Sequence, residues 1–205
     1  ILRGRDIKRY GYEWKDLWLI NTHNGIKGQV ERIHIEDYPA IKKHLDKYWE
    51  KIKNRFDKGD TPYNLRNCAY MDDFSKPKIV YPNMTKYLPF YYDVQKYLTN
   101  QKCFIITGEN LTFLTAFLNS SLFKYCFRDS FPELQGGTRE LSKVFFEKIP
   151  VIKVTEKTEK QFIDSIKDIQ DNYSKAKAKQ IDSIIFNLYN LTQEEINEIG
   201  FIEIE

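Results

Sequence analysis

The sequence predicts a mixed α/β fold, with a sheet-containing body over residues 1–152 and a long helical C-terminal segment over 153–205. Three observations predict it. Apolar residues at spacings of three and four run through 37–56 and 111–128, the mark of amphipathic helices. Short runs rich in β-branched and aromatic residues stand at 78–81, 89–93 and 103–107, the mark of strands. From Thr158 the period changes again: Phe162, Ile166, Ile169, Tyr173, Ala176 and Gln180 alternate four and three apart, a heptad seam. Hydrophobic residues make up 41% of the 205, enough to bury a core in one large domain or one domain with a helical appendage.

Taken in order, residues 1–15 are basic and aromatic, and Asp16-Leu-Trp-Leu-Ile-Asn21 reads as a strand closed by the turn signal His23-Asn-Gly25. The helix over 37–56 opens with Pro39 in its first turn, presents Ile41, Leu45, Tyr48, Trp49, Ile52 and Phe56 on one face, and stops at Gly59. The three strands follow, with a polar, exposed loop over 82–88 between the first two. Asn110 is placed to cap the helix over 111–128. The loop 131–140 carries Gly136 and Gly137 and is expected to be flexible; Ile149-Pro-Val-Ile152 reads as an edge strand or an extended exit. The heptad helix is expected to continue through Ile181, Ile184, Ile185 and Leu188. Thr192-Gln-Glu-Glu195 is a capping box that opens a short last helix at 194–199.

The net charge of +3 is unevenly spread. Residues 1–150 hold 25 basic against 18 acidic residues, a balance of +7, and residues 151–205 hold 7 against 11, a balance of −4. A basic body with an acidic tail suits a polyanion binder with a protein-facing appendage. Cys68, Cys103 and Cys126 are odd in number and widely spaced, which fits a reducing cytoplasm and no disulfide framework. There is no signal peptide and no apolar run of about 20 residues, so no membrane partner is expected. The absence of an initiating Met suggests an excised piece of a longer protein.

Catalytic motifs are scarce. His44 has no partner at HExxH spacing, His23 sits in a turn signal, and no GxSxG, P-loop or GxGxxG occurs. The Asn-Pro-Pro-aromatic motif with which adenine methyltransferases hold a flipped base is missing, and no carboxylate cluster suits a magnesium nuclease. No catalytic residue, no metal site and no cofactor is therefore assigned to this chain. The candidate site is instead a set of basic and polar loops, whose cations suit phosphates and whose amides and hydroxyls suit base edges. Four segments have that mix: 3–10 with Arg3 and Arg5; 58–66 with Lys58, Thr61, Tyr63 and Arg66; 83–87 with Asn83, Thr85 and Lys86; and 135–143 with Gln135, Thr138, Arg139 and Lys143.

The order of short motifs along the chain is familiar. Leu2-Arg-Gly-Arg-Asp-Ile7 is followed by Tyr38-Pro39 opening a helix with Leu45, Tyr48 and Arg55. Gly59 with Tyr63-Asn-Leu-Arg66 comes next, then Pro77-Lys-Ile-Val-Tyr81, Phe117-Leu-Asn-Ser-Ser-Leu122 and Lys148-Ile-Pro150. In this order they resemble the TaqI-like C-terminal specificity domain of type IIG restriction enzymes, which fuse restriction and adenine methylation. The tail from Ile181 to Ile196 is similar to the usual end of such proteins. Tyr63 departs from the pattern, since members often carry Trp there. The resemblance implies sequence-specific recognition of double-stranded DNA, with methyltransferase and nuclease domains elsewhere in a parent that uses S-adenosylmethionine and Mg. An assembly module similar to a type I specificity subunit, using the heptad helix as its partner face, is the alternative.

Overall fold

In the computed structural model, which describes residues 1–203, the chain opens with a short hairpin of β1 (Ile7–Lys8) and β2 (Gly11–Tyr12). There follow α1 (Pro39–Asp46), α2 (Trp49–Ile52), β3 (Lys78–Pro82), β4 (Met84–Thr85), β5 (Tyr91–Asp93) and β6 (Cys103–Ile106). The second half holds α3 (Leu111–Asn119), α4 (Ser121–Phe127), β7 (Arg139–Glu140), α5 (Lys143–Phe146), α6 (Glu156–Asp171), α7 (Lys175–Leu188) and α8 (Gln193–Ile199). The chain divides into two units: Ile1–Leu17 with everything from Asp73 onward, and Trp18–Asp72.

The larger unit is built on an antiparallel sheet of order β5-β3-β6, with Val80 opposite Tyr91 on one side and Ile105 on the other. Every residue of β3 is buried. Ile79 and Tyr81 point into a core shared with Phe117, Phe123, Phe162 and Ile185, whereas Val80 packs with Leu2, Ile7 and Cys103. A strand covered on both faces reads as a continuous apolar run, which is why Ile79-Val-Tyr81 signals strand without alternating polar residues. Lys78 and Asp93 are opposite each other in register and form a wholly buried ion pair. Asp93 also accepts from the amides of Gln95 and Tyr97, so its charge is fully met.

The helices are shorter than their periodicity predicts. The stretch 111–128 breaks at Ser120, whose extended backbone ends α3 and whose Oγ accepts from the Phe123 amide to start α4. Asn119 is turned inward there, pairing its amide with both the N–H and the C=O of Phe90. Asn110 takes a left-handed conformation and makes no side-chain cap. Glu159 of α6 caps α3 instead, accepting from the Thr112 and Phe113 amides. The heptad stretch likewise breaks at Asn172, and Ser174 caps α7 by accepting from the Lys177 amide. Phe162, Ile166 and Ile169 of α6 and Ala178, Ile181 and Ile185 of α7 are all buried in the same core as α3. The first half of the seam is thus intramolecular, whereas Tyr173, Ala176 and Gln180 of the same heptad pattern are exposed. The capping box at Thr192 and Glu195 is formed as the sequence indicates. The segment 149–152, expected as an edge strand or an extended exit, forms no strand.

The smaller unit, Trp18–Asp72, has little core. The expected strand at 16–21 does not form, and Trp18 is 82% exposed. The expected helix at 37–56 divides into α1 and α2 at Lys47 and Tyr48, and none of its residues is buried. The turn between them puts Tyr48, Trp49 and Phe56 out of register with Ile41 and Leu45, and Phe56 is 99% exposed. Polar bonds hold this unit together. Buried Asn64 donates to the His23 and Ile33 carbonyls, and Arg55 donates to the carbonyl of Asn64. Gly59 ends no helix here. It lies so close to the Asn24 side chain that any Cβ would collide with it.

Candidate functional site

The larger unit contains a cleft of about 1420 Å³. One wall is the N-terminal segment with Arg5, Lys8 and Tyr12, and another is the loop carrying Asn83, Thr85 and Tyr87. A third is α6, with Ile163, Lys167 and Gln170. Lys102 joins the basic side, and Asp171 is an acidic residue in the lining.

Local chemistry explains how Arg5 reaches this cleft. Arg3 forks onto Asp6, its Nε 2.9 Å from Oδ2 and its terminal nitrogen 2.8 Å from Oδ1. The Arg3 amide donates to the same carboxylate, which closes residues 4–6 into a single tight turn. Burial pulls the Asp6 carboxyl up, but the Arg3 bonds outweigh it and hold the group below its ordinary value. Arg5, in the middle of that turn, is left exposed. Gly4 packs against the Lys102 carbonyl where a side chain would collide, so Arg5 and Lys102 are brought to one wall.

The loop at 83–87 is not free coil, as its composition suggests. Met84 and Thr85 pair with Glu140 and Arg139, and the Asn83 carbonyl accepts from the Leu141 amide. Behind the loop lies a buried polar cluster. Lys124 donates to the Tyr87 and Leu88 carbonyls. Arg9 donates to the Asn119 and Ile202 carbonyls, and Asp182 accepts from the amide and hydroxyl of Ser121. Burial, then Arg9 and Arg128, push the Lys124 ammonium well below its ordinary value, while burial raises the Asp182 carboxyl.

Three of the four sequence-designated segments therefore meet on the larger unit. Arg5, Asn83 and Thr85 line the cleft, and Lys86 lines an adjoining pocket with Gly136 and Gly137, between Gln135 and Thr138. Gly136 and Gly137 form a single 3-10 turn with Gln135. Arg3 and Arg139 serve the fold. Arg139 is buried, bonded to the Phe131 carbonyl and paired with Asp129 and Glu133. Lys143 is exposed at the start of α5 and pairs with Glu147. The fourth segment lies on the smaller unit. There Lys58 donates to the Lys53 carbonyl, Thr61 to Asn64, Tyr63 to Asp46 at 2.6 Å, and Arg66 pairs with Asp57.

Sequence reasoning missed Tyr92, Lys102, Lys167 and Gln170 as cleft residues. Lys167 and Gln170 flank the buried positions Ile166 and Ile169 on a helix assigned to protein contacts. Their three-residue spacing places them on one face beside the seam, and that was the available signal. The assembled lining offers exposed cations, amide donors and acceptors, and tyrosine rings. Among the described residues, no group of three or more His, Cys, Asp or Glu is placed to hold a metal ion, and no helix is long and apolar enough to cross a membrane.

A family model, the TaqI-like C-terminal specificity domain, matches residues 1–151. The chain is also similar to the type II methyltransferase M.BstVI of Geobacillus stearothermophilus, at 24% identity over 193 residues. That alignment covers 91% of this chain and 33% of the relative, so the chain spans about a third of the length of the curated protein it matches.

Proposed function

From the premise that the chain belongs to the TaqI-like C-terminal specificity domain family, we propose that it reads a specific sequence in double-stranded DNA for a bacterial restriction–modification enzyme. The observation that carries this reading is the convergence of two basic and polar segments, 3–10 and 83–87, with α6 around one cleft, and the pairing of a third, 135–143, with the 83–87 loop beside it. Arg5, Lys8, Lys102 and Lys167 are exposed there and suit phosphates. Asn83, Thr85 and Gln170 suit base edges, because amides and hydroxyls both donate and accept. Lys86, Gln135, Thr138 and Lys143 add further contacts from the same unit. On the smaller unit, Lys58, Thr61, Tyr63 and Arg66 form a second contact surface, with Thr61 and Tyr63 also ordering their own loop. Arg3 and Arg139 act by fixing the segments that carry the contacts.

In this reading the chain positions DNA for a methyltransferase, and for a nuclease where the parent cuts, on other domains of a type IIG protein in the bacterial cytoplasm. S-adenosylmethionine and Mg serve those domains, and this chain supplies no catalytic group. The test is selection of the 205-residue chain on a randomised duplex library at low and high salt. Enrichment of one sequence is expected, with affinity falling steeply as salt rises through counterion release. Asn83→Ala should relax the preference at one position of the site, and Arg5→Ala should weaken all duplexes alike. Binding with no sequence enrichment at any salt overturns the reading.

A further inference from the structure

We infer that the pocket of about 320 Å³ walled by Lys86, Lys124, Arg128, Gly136 and Gly137 is a phosphate subsite, and that in the DNA-bound protein it takes one backbone phosphodiester beside the cleft. The source of the phosphate rests on the proposed function; the anion site itself does not.

Three cations reach this pocket from separate places. Lys86 comes from the loop after β4, Lys124 from within α4, and Arg128 from one turn beyond Lys124, four residues on. Lys86 and Arg128 are exposed, whereas Lys124 is only 6% exposed. The Lys124 ammonium is held by two carbonyls, Tyr87 at 2.6 Å and Leu88 at 2.9 Å. In its charged form the ammonium has three donors, so one remains for a ligand, and a bound anion favours that form. Arg9 adds a fourth cation behind it, and Asp182 is the carboxylate that opposes them. Clustered like charges of this kind are unfavourable in isolation and are relieved by a bound anion.

The opposite wall suits the same ligand. Gly136 and Gly137 both have left-handed backbone, with φ of 74° and 76°. A Cβ at either would meet nothing within 4 Å, so backbone conformation and not crowding calls for glycine. Two successive glycines leave bare main chain on this wall, which an anion can approach closely. Glu203 also lines the pocket, but its carboxylate is paired with Lys175 at 3.0 Å. Tyr87 borders both the pocket and the cleft, so a strand lying in the cleft passes the pocket's mouth. A phosphate held here fixes the register of the DNA without reading any base.

Two probes test the site on the full chain. The first is inorganic phosphate, followed through the amide shifts of Gly136 and Gly137. Saturable shifts are expected, and Arg128→Ala should abolish them. The second is DNA affinity against salt for wild type, Lys86→Ala, Arg128→Ala and the control Lys153→Ala, an exposed lysine outside both cavities. Loss of the phosphate contact should lower the log–log salt slope by about 0.9 and weaken cognate and non-cognate duplexes by the same factor. Lys124→Met should act alike; because it is buried, the exposed pair decides the matter if it fails to fold. Slopes and affinities matching the control overturn the inference, as does an altered sequence preference. Should the wild type bind no DNA, the proposed function fails, and the inorganic phosphate arm alone upholds or overturns the pocket.

Discussion

Arg3 and Arg5 stand two residues apart and have the same chemistry, yet they do opposite work. Arg3 spends its guanidinium on Asp6, and the turn so formed presents Arg5 to the cleft. Arg139 repeats the role of Arg3, gripping the Phe131 carbonyl under the strand that pairs with Thr85. Asp182, 2% exposed, is the carboxylate of the buried cluster behind the site; it accepts from Ser121 twice and lies 3.9 Å from Arg9. Removing its carboxylate strands both Ser121 donors and leaves Arg9 and Lys124 without their buried counter-charge. Asp182→Ala should therefore destabilise the larger unit by about 3–5 kcal/mol, read from the urea midpoint. A loss under about 1 kcal/mol would mean that water already satisfies the cluster.

At the level of elements, local propensity located the helices and remote side chains set their ends. Asn110 carries a good cap signal, but its left-handed backbone turns that side chain away from the role. Glu159, 47 residues downstream of Thr112, caps α3 through the Thr112 and Phe113 amides and the Thr112 hydroxyl. Glu159→Ala should cost about 2 kcal/mol, since charge-assisted bonds at a helix N-terminus are lost. Asn110→Gly should be near neutral, because glycine accepts the left-handed conformation without strain. Thermal melts of the two variants side by side check the assignment, and a larger shift for Asn110→Gly would reverse it.

For the molecule as a whole, the decisive contact is α6 against α3. It places Phe162 beside Phe113 and closes the cleft with Ile163, Lys167 and Gln170. Ile166 is 1% exposed in this core, and a carboxylate there would be buried without a partner. Ile166→Asp should abolish the cooperative melt of the chain, measured by near-UV circular dichroism. A folded variant that only failed to assemble with a partner would restore the seam as an interaction face.

The sequence by itself determined the strands of the central sheet, the capping box at Thr192 and the motif order that places the chain in its family. Each is written in residues close together, where periodicity and capping chemistry act directly. It also marked two of the segments that line the cleft and a third that pairs beside it. Where helices break was only partly legible: Asn119-Ser-Ser121 and Asn172-Tyr-Ser174 carry local cap signals inside apolar patterns that continue past them. The tertiary structure alone decided which basic residues face outward and which are consumed inside. Arg3, Arg5 and Arg139 cannot be told apart by composition, because their roles depend on partners such as Asp6 and the Phe131 carbonyl. Lys102 and Lys167 reach the cleft only because Gly4 packs on one and the fold of α6 onto α3 carries the other. Burial and pairing are properties of the folded chain, and they divided one set of cations into those that hold the site and those that line it.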